Sequence, residues 1–505
     1  MTTRATRREW IGLAIIALPC GVYAMDLTVL YLAVPSLSAD LQPSSTQLLW
    51  IMDIYGFLVA GCLVTMGTLG DRVGRRRIML WGAAAFAVTS VVAAFAPTAD
   101  LLVAARAALG VAGATVAPST LSLIRNMFHN ERQRTFAIGV WIAAFSAGAA
   151  IGPVVGGVLI EFFWWGSVFL LAVPVMVILL VLGPRFLPEY RDPAARPLDL
   201  ASAALSLFAV LAVIYGVKRL VEHDDLLVSL AAILFGIVLA VIFVRRQRGL
   251  AHPHIELSLF AAPAFRASLG VYAVIGLVMF GIYYFIPQYF QLVAGLSPLS
   301  AALWTSPGAL AFVVGSMWTA RWVARFGRER TLIAGQAVAA AGLLATAFVT
   351  ATDSVVLLAV ASVVASIGFA PVITIANDLI VGTAPPECAG AASGVAETCG
   401  ELSGALGVAL FGTLGVGLYR AGTDASLATL VTPSLLAEMQ ATLGGAVGAS
   451  ARLDPVVRDT VLAAAREAFV DGMQATAWIC GSLTAATAVF AARWSAAFRM
   501  TAAAP

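Results

Sequence analysis

The stretch "GTLGDRVGRRR", Gly67 to Arg77, puts four arginines, an aspartate and three glycines between two long apolar runs. That much charge does not enter hydrocarbon, so the stretch reads as a short connection at a membrane face. The runs beside it, 48–69 and 78–96, are each about 20 residues long, enough for a helix rising 1.5 Å per residue to cross a core of about 30 Å. Blocks of this kind recur along the whole chain. They lie near 10–34, 48–69, 78–96, 101–123, 135–160, 163–183, 199–217, 226–244, 268–292, 300–323, 331–350, 354–377, 389–417 and 475–496. The count is fourteen, and an even count puts both termini on one side. Composition agrees: 61% of the 505 residues are hydrophobic and 11% charged, well above the roughly 45–50% apolar content of a soluble domain.

Arginines fix the orientation, because Lys and Arg stay cytoplasmic. Arg4, Arg7, Arg8, the Arg72 and Arg75 to Arg77 cluster, and alternate connections as far as Arg493 and Arg499 hold 23 of the 30 basic residues. Six fall on the opposite face (Lys218, Arg219, Arg420, Arg452, Arg458 and Arg466), and Arg106 lies within a span. Both termini are therefore expected in the cytoplasm. Arg far outnumbers Lys and Ala is abundant, the pattern of a GC-rich bacterial genome, which points to a bacterial cytoplasmic membrane.

Several function classes are excluded or disfavoured. A phosphate-cradling loop needs Gly-Lys-Ser/Thr, and the sole lysine, Lys218, precedes Arg219. Active work would have to draw on an ion gradient. No nucleophile elbow or zinc-protease pattern occurs, so the chain is not read as an enzyme and no cofactor is expected. His223 and the His252-Pro253-His254 run, with Glu256 nearby, lack the ligand set of a metal site, and no metal is expected. Cys20, Cys62, Cys388, Cys399 and Cys480 have no paired spacing and read as packing residues.

The connection "ARFGRER", Ala324 to Arg330, echoes the opening stretch: aligning Gly74 with Gly327 gives a weak repeat 253 residues apart. Duplicated halves build many secondary transporters. Six spans precede those at 199–217 and 226–244, and six follow. The expected organisation is an N-terminal six-helix bundle (1–197), two inserted transmembrane helices (198–250) and a C-terminal six-helix bundle (251–505).

The pattern Gly67-x-Leu69-x-Asp71-Arg72-x-Gly74-Arg75-Arg76 resembles the loop signature of the major facilitator superfamily. "LLVAARAALGVAGA", with Arg106 and Gly110, resembles the fourth-helix motif of its proton-coupled members, and "GAAIGPVVGG", Gly148 to Gly157, resembles its antiporter motif. Together with fourteen spans, "MDLTVLYLAVP", "WIMDIYG" and the pair Glu397 and Glu401, the chain is similar to the fourteen-helix drug:proton antiporter branch of QacA, SmvA and LfrA type. It departs from QacA-like members in having no acid in the tenth span. The resemblance implies an all-α integral membrane protein of the major-facilitator fold. It implies export of lipophilic cationic drugs, namely quaternary ammonium compounds, dyes and fluoroquinolones, in exchange for protons. Protons, amphipathic cations and membrane lipids are the expected partners, with no nucleic acid, and the protein is expected to act as a monomer.

The residues support this reading in their own right. Asp26, Asp53 and Arg106 lie at depths that agree within about 5 Å at 1.5 Å per residue, so one layer of the N-terminal bundle is expected to hold two acids and one base. Charged groups in a span face a cavity and pair, and the spare negative charge would take a proton or attract a cation. Glu397 and Glu401 are one turn apart on one face, flanked by Gly394 and Gly404, with no basic residue in their span. Burial and a like neighbour favour the protonated carboxyl, which suits a proton carrier.

Tyr23, Tyr31, Tyr55, Phe57, Trp141, Phe145 and Phe312 offer faces to an organic cation. Tyr55, Phe145, Trp141, Tyr31 and Phe312 are the chosen candidates, ahead of "YYFIPQYF" (283–290), expected to be partly lipid-facing. Gly148, Gly152 and Gly156, with Pro153, are expected to form a close seam against the other bundle. Gly67, Asp71, Arg72 and Gly74 are expected to act as a conformational latch, with the Asp71 carboxylate facing a helix N-terminus, while Arg76 and Arg77 mainly set topology. Asp378 reads as a cap or a solvent-exposed acid. Between about 419 and 474, Thr432-Pro433 and Asp454-Pro455 mark two helix starts, hence an extracellular helical hairpin, a linker by default. The rival readings are an exporter of an endogenous lipid, antibiotic or metabolite, and a non-transporting membrane receptor or scaffold.

Overall fold

The structure, a computed structural model, describes residues 5–191, 199–221, 225–250, 253, 257–352, 354–384, 389–428 and 430–493. Cys388, His223, His252, His254, Glu256, Arg4, Arg196 and Arg499 lie outside the described residues, as does the expected boundary at 197 and 198.

Helices account for nearly all of the described chain, as expected where the surrounding hydrocarbon cannot satisfy peptide groups. In order they are α1 (Arg7–Leu41), α2 (Ser45–Val73), α3 (Arg75–Ala94), α4 (Ala99–Gly113), α5 (Val116–Met127) and α6 (Glu131–Phe162). A short α7 (Ser167–Leu170) leads into α8 (Ala172–Phe186), followed by α9 (Leu200–Val221) and α10 (Leu226–Gly249). Then come α11 (Pro263–Tyr283), a one-turn α12 (Ile286–Gln288), α13 (Pro298–Phe326), α14 (Arg328–Thr346) and α15 (Val355–Gly382). The chain closes with α16 (Ala389–Leu427), α17 (Pro433–Ala441), α18 (Leu443–Ser450) and α19 (Pro455–Arg493).

Among the described residues thirteen helices are long and apolar enough to cross a membrane. The segment expected at 331–350 is helical, but α14 falls short of that apolarity because Arg328, Glu329, Arg330 and Gln336 dilute a run rich in Ala and Gly. It is nonetheless well packed, with Gly335 and Gly342 set against α15 so closely that a Cβ at either would press on Gly368 or Ala365 backbone.

The repeat suggested by the two arginine-rich connections is a repeat of backbone. Gly74 separates α2 from α3 at φ 125°, and Gly327 separates α13 from α14 at φ 84°. These are conformations a side chain resists, so one residue suffices to end one helix and start the next.

Two compact units arise, and they are not the sequence-order halves. The first comprises Met1–Leu30, Ile54–Val213 and Leu234–His254; the second comprises Tyr31–Asp53, Ile214–Ile233 and Ile255–Pro505. The division falls inside α1, α2, α9 and α10. Helices α9 and α10 zip together along their length. Gly216 lies against Ser229 and Ile233, and Gly236 against Ala209 and Val213. Gln247 Nε2 donates to Ser202 Oγ at 2.7 Å, and Arg246 pairs with Asp199 at 3.0 Å. Although the buried environment opposes it, the Ser202 hydroxyl and amide and the Arg246 guanidinium hold Asp199 down at a pKa of about 2. α9 also docks on α2, where a Cβ at Gly61 would lie 2.8 Å from Leu207 Cδ1.

Two sequence expectations change. "YYFIPQYF" is not lipid-facing: Tyr284, Phe285, Tyr289 and Phe290 are buried. A π-turn spans Tyr289–Val293, and Tyr289 Oη donates to the Thr350 carbonyl at 2.7 Å. The outer segment does start helices at Pro433 and Pro455, but it is no loose linker. Tyr419 Oη donates to Met439 O at 2.9 Å, Ser45 Oγ to Ala441 O at 2.5 Å, and Gly444 sits on Ser38. Its second helix is not a separate hairpin arm either, because α19 runs unbroken for 39 residues into the last span.

Candidate functional site

In the first unit, α1, α2, α4 and α6 bring a carboxylate, a guanidinium and a row of rings together. Gly110 and Gly113 on α4 let that helix approach α2 so closely that a Cβ at Gly110 would lie 2.6 Å from the Tyr55 carbonyl oxygen. This close approach sets Arg106, one turn earlier, over the Tyr55 ring at 4.5 Å. The Arg106 Nη1 lies 2.8 Å from Asp26 Oδ2. Arg106 is 2% exposed and Asp26 11%, so an edge of the carboxylate remains approachable while the guanidinium does not. Within a low-dielectric setting such a pair is far costlier to break than to keep, about 3–5 kcal/mol when one partner is removed.

The rings continue from there. Tyr23, one turn before Asp26, stands 6.2 Å from Tyr55 and 6.1 Å from Phe145, and Phe145 stacks with Trp141 at 6.3 Å. Trp141 Nε1 donates to Thr120 Oγ1 at 3.1 Å, which fixes the Trp141 end of the row. The row depends on the glycine stripe. Added Cβ atoms would fall on the Gly21 carbonyl oxygen from Gly148, on Thr28 Oγ1 from Gly152, and 3.0 Å from Val29 from Gly156. The stripe and the buried Pro153 therefore pack α6 on α1 of the same unit, not on another bundle as expected. The close approach of the backbones is what carries Phe145 to Tyr23.

Asp53 does not join this cluster. In the second unit its carboxylate lies 2.8 Å from Lys218 Nζ, with both side chains fully buried. Lys218 is thus not an outer-face residue, and the expected spare negative charge of Asp26, Asp53 and Arg106 is taken up by a second cation. Also in this unit, Tyr31 meets Tyr283 edge to face at 5.1 Å. Phe312 lies half-buried on α13, apart from these rings among the described ring pairs.

Glu397 and Glu401 lie on α16, half-buried. The packed stripe runs through Gly400, Gly404 and Gly407, which face Tyr272, Phe280 and Leu277. Gly394, expected to belong to it, faces open space.

At the opening stretch, Asp71 pairs with Arg75 at 2.6 Å, and Arg75 Nη1 donates to Pro118 O at 3.3 Å; Gly67 lies 3.6 Å from Pro118 by its would-be Cβ, and Arg72 is exposed. The carboxylate at the α3 N-terminus is Glu189 rather than Asp71. Its Oε1 accepts from the Arg76 amide at 3.1 Å, and its Oε2 lies 3.6 Å from Arg76 and 3.8 Å from Arg77. Arg76 also donates to the Leu187 carbonyl at 2.9 Å, so it ties α3 to the end of α8 in addition to any topological part. In the repeat, Arg328 pairs with Asp378 at 2.7 Å, so Asp378 is exposed but not idle.

A buried Arg106 facing Asp26 and the break at Gly74 between α2 and α3 now stand in one fold, and the sequence profile of the Major Facilitator Superfamily matches residues 17–408. The chain belongs to the Major Facilitator Superfamily. Among curated relatives it is similar to the multidrug efflux pump LfrA of Mycolicibacterium smegmatis, 42% identical over 96% of each chain. The methyl viologen resistance protein SmvA of Salmonella typhimurium is 34% identical over 92% of this chain and 93% of its own. A tetracenomycin C resistance and export protein of Streptomyces glaucescens is 30% identical over 81% and 76%. Among solved structures, an inward-facing bacterial homologue of the lysosomal transporter Spinster matches with a TM-score of 0.70 at 15% identity, over 98% of this chain and 99% of that one, a likeness of fold. As a Major Facilitator Superfamily member with many apolar helices and bacterial relatives, the chain is a multi-pass transporter of the bacterial inner membrane.

Sequence reasoning did not single out Lys218, Glu189 or Tyr272. Lys218 carried one signal, being the sole lysine in the chain. Tyr23, named among the aromatic faces but not among the chosen candidates, stands between Tyr55 and Phe145 in the ring row; its place three residues before Asp26 is the signal that points to it.

Proposed function

We propose that this protein exports lipophilic cations, such as quaternary ammonium compounds, dyes and fluoroquinolones, in exchange for protons by alternating access. The observation that carries the reading is a part-exposed carboxylate, Asp26, held on α1 against Arg106, one turn from Tyr23 and the ring row that joins Tyr23 to Tyr55 and Phe145. A cation gains about 0.5–2 kcal/mol from each aromatic face it meets, and faces of this kind accept varied shapes. The efflux and resistance functions of LfrA and SmvA support the same reading.

Proton coupling is assigned to Asp26, Asp53, Arg106, Glu397 and Glu401. Glu397 and Glu401, two like charges one turn apart on a membrane helix, form the proton-loading pair in this scheme. One proton moving down 100 mV releases about 2.3 kcal/mol, equal to about a fiftyfold cargo gradient, so one or two protons suffice. The scheme has fourteen spans in a six, two, six arrangement with both termini cytoplasmic, acting as a monomer among lipids. Glu397→Gln is expected to abolish ethidium efflux driven by a pH gradient in membrane vesicles. Undiminished coupling in that variant removes Glu397 from the mechanism.

The tetracenomycin C relative favours a second reading, export of an antibiotic made by the cell. Transport of such a compound in preference to ethidium, with the same loss in Glu397→Gln, would select it.

A further inference from the structure

Lys218, the chain's only lysine, sits in a frame built by one face of α2. Trp50 and Asp53 are three residues apart on that helix, so the indole and the carboxylate point the same way. Lys218 Nζ lies 2.8 Å from Asp53 Oδ2 and 3.7 Å from the centre of the Trp50 ring. The two charged side chains are fully buried, while Trp50 is only half-buried. The next residue behaves differently. Arg219 donates to Tyr215 Oη at 2.7 Å and lies over that exposed ring, so one turn of α9 sends one cation inward and keeps the other on the helix surface.

A buried ion pair is a weak device for holding two helices together, since apolar residues of similar volume do as well or better. Gly61 and Leu207 already join α2 to α9 without charge. A carboxylate beside an indole face is, however, a good receptor for an organic cation: the charge attracts and the ring offers a surface free of competing water. Lys218 fills that receptor with a cation belonging to the chain itself.

We propose that Trp50 and Asp53 form a binding subsite for a lipophilic monovalent cation, and that Lys218 is its tethered competitor, displaced when cargo enters. The proposal rests on the cation-export reading and adds to it a named subsite and its resident occupant. It also gives the inserted helix α9 a part in cargo recognition. No bond is made or broken in the exchange: the ammonium keeps its proton and moves to solvent or lipid phosphate while the cargo takes its place.

The sole lysine allows a direct test on the unaltered protein. Purified full-length transporter is treated with an amine-specific acylating reagent, with and without tetraphenylphosphonium, and acylation of Lys218 is followed by mass spectrometry while binding of the cation is measured in the same sample. If the ammonium leaves the frame about a tenth of the time at rest, saturating cation should accelerate acylation about tenfold, and Lys218→Met should bind the cation about tenfold more tightly. That gain should vanish in Lys218→Met/Asp53→Asn. Cation that binds while Lys218 stays as protected as before overturns the subsite but leaves cation export standing. A gain in Lys218→Met that survives Asp53→Asn also overturns it. No binding of the cation at all overturns both readings. Because the acylation arm needs no substitution, a Lys218→Met variant that fails to fold does not remove the test.

Discussion

Glu189 serves three groups with one carboxylate: the Arg76 amide at the start of α3, and the guanidinium groups of Arg76 and Arg77. At 3.6 and 3.8 Å the two ion pairs are loose, and the 3.1 Å hydrogen bond from the Arg76 amide is the closer interaction. Glu189→Ala should therefore cost about 1–2 kcal/mol, the range for a lost cap and dipole partner, seen as a lower thermal midpoint in detergent. Glu189→Gln, which keeps an acceptor, should fall between. A Glu189→Ala midpoint equal to the parent's would mean that Asp71 and Arg75 hold the turn unaided. The loop motif marked Asp71 and Gly74 from sequence, but Glu189 lies 113 residues beyond the amide that it receives. No local pattern points to a partner at that distance. The same holds for Lys218, whose meaning depends on Trp50 and Asp53 from a helix far away in the chain.

Helix α6 shows how spacing becomes position. Its glycines at 148, 152 and 156 were legible as a small-residue face, while the neighbour that the face touches was not, because periodicity names a side and never a partner. That neighbour is α1, and the contact fixes the separation of Tyr23 from Phe145. Gly148→Leu would drive a side chain into the Gly21 backbone, and overpacking of this kind costs about 1–3 kcal/mol or more. The expected outcome is weakened tetraphenylphosphonium binding, by an order of magnitude or about 1.4 kcal/mol, with no rise in passive proton leak across liposomes. A leak without a change in cation affinity would instead return the stripe to a sealing role. Helix starts at Pro433 and Pro455 were readable from Thr-Pro and Asp-Pro pairs. The unbroken length of α19 was not, since its outer half lacks the apolarity that marks a span.

For the molecule as a whole, arginine bias and block length foretold an all-helical membrane protein, and the family resemblance narrowed it to the major-facilitator fold. The span count is where sequence and structure part, because α14 is rich in Ala and Gly and diluted by charge, and packs closely on α15 in place of being strongly apolar. The proposed fourteen crossings with cytoplasmic termini have a simple consequence. Green fluorescent protein fused after Pro505 should fluoresce in cells, as it does in the cytoplasm, and alkaline phosphatase fused there should be inactive. The opposite pair of results would leave thirteen crossings and put the termini on different sides. The arrangement of compact units was out of reach of sequence, because it depends on where long helices change neighbours.

α10 has only 11% of its most apolar stretch buried, with Leu227, Leu234, Phe235 and Ile237 all exposed. Fit to a protein neighbour hardly constrains such side chains; solubility in acyl chains does. Over generations that surface is free to drift among Leu, Ile, Val and Phe, and in a saturation mutagenesis library it should tolerate any greasy replacement while rejecting Asp and Lys. One helix thus lives under two rules of inheritance, spelled letter by letter at Gly236, where it meets α9, and only by kind on its exposed side.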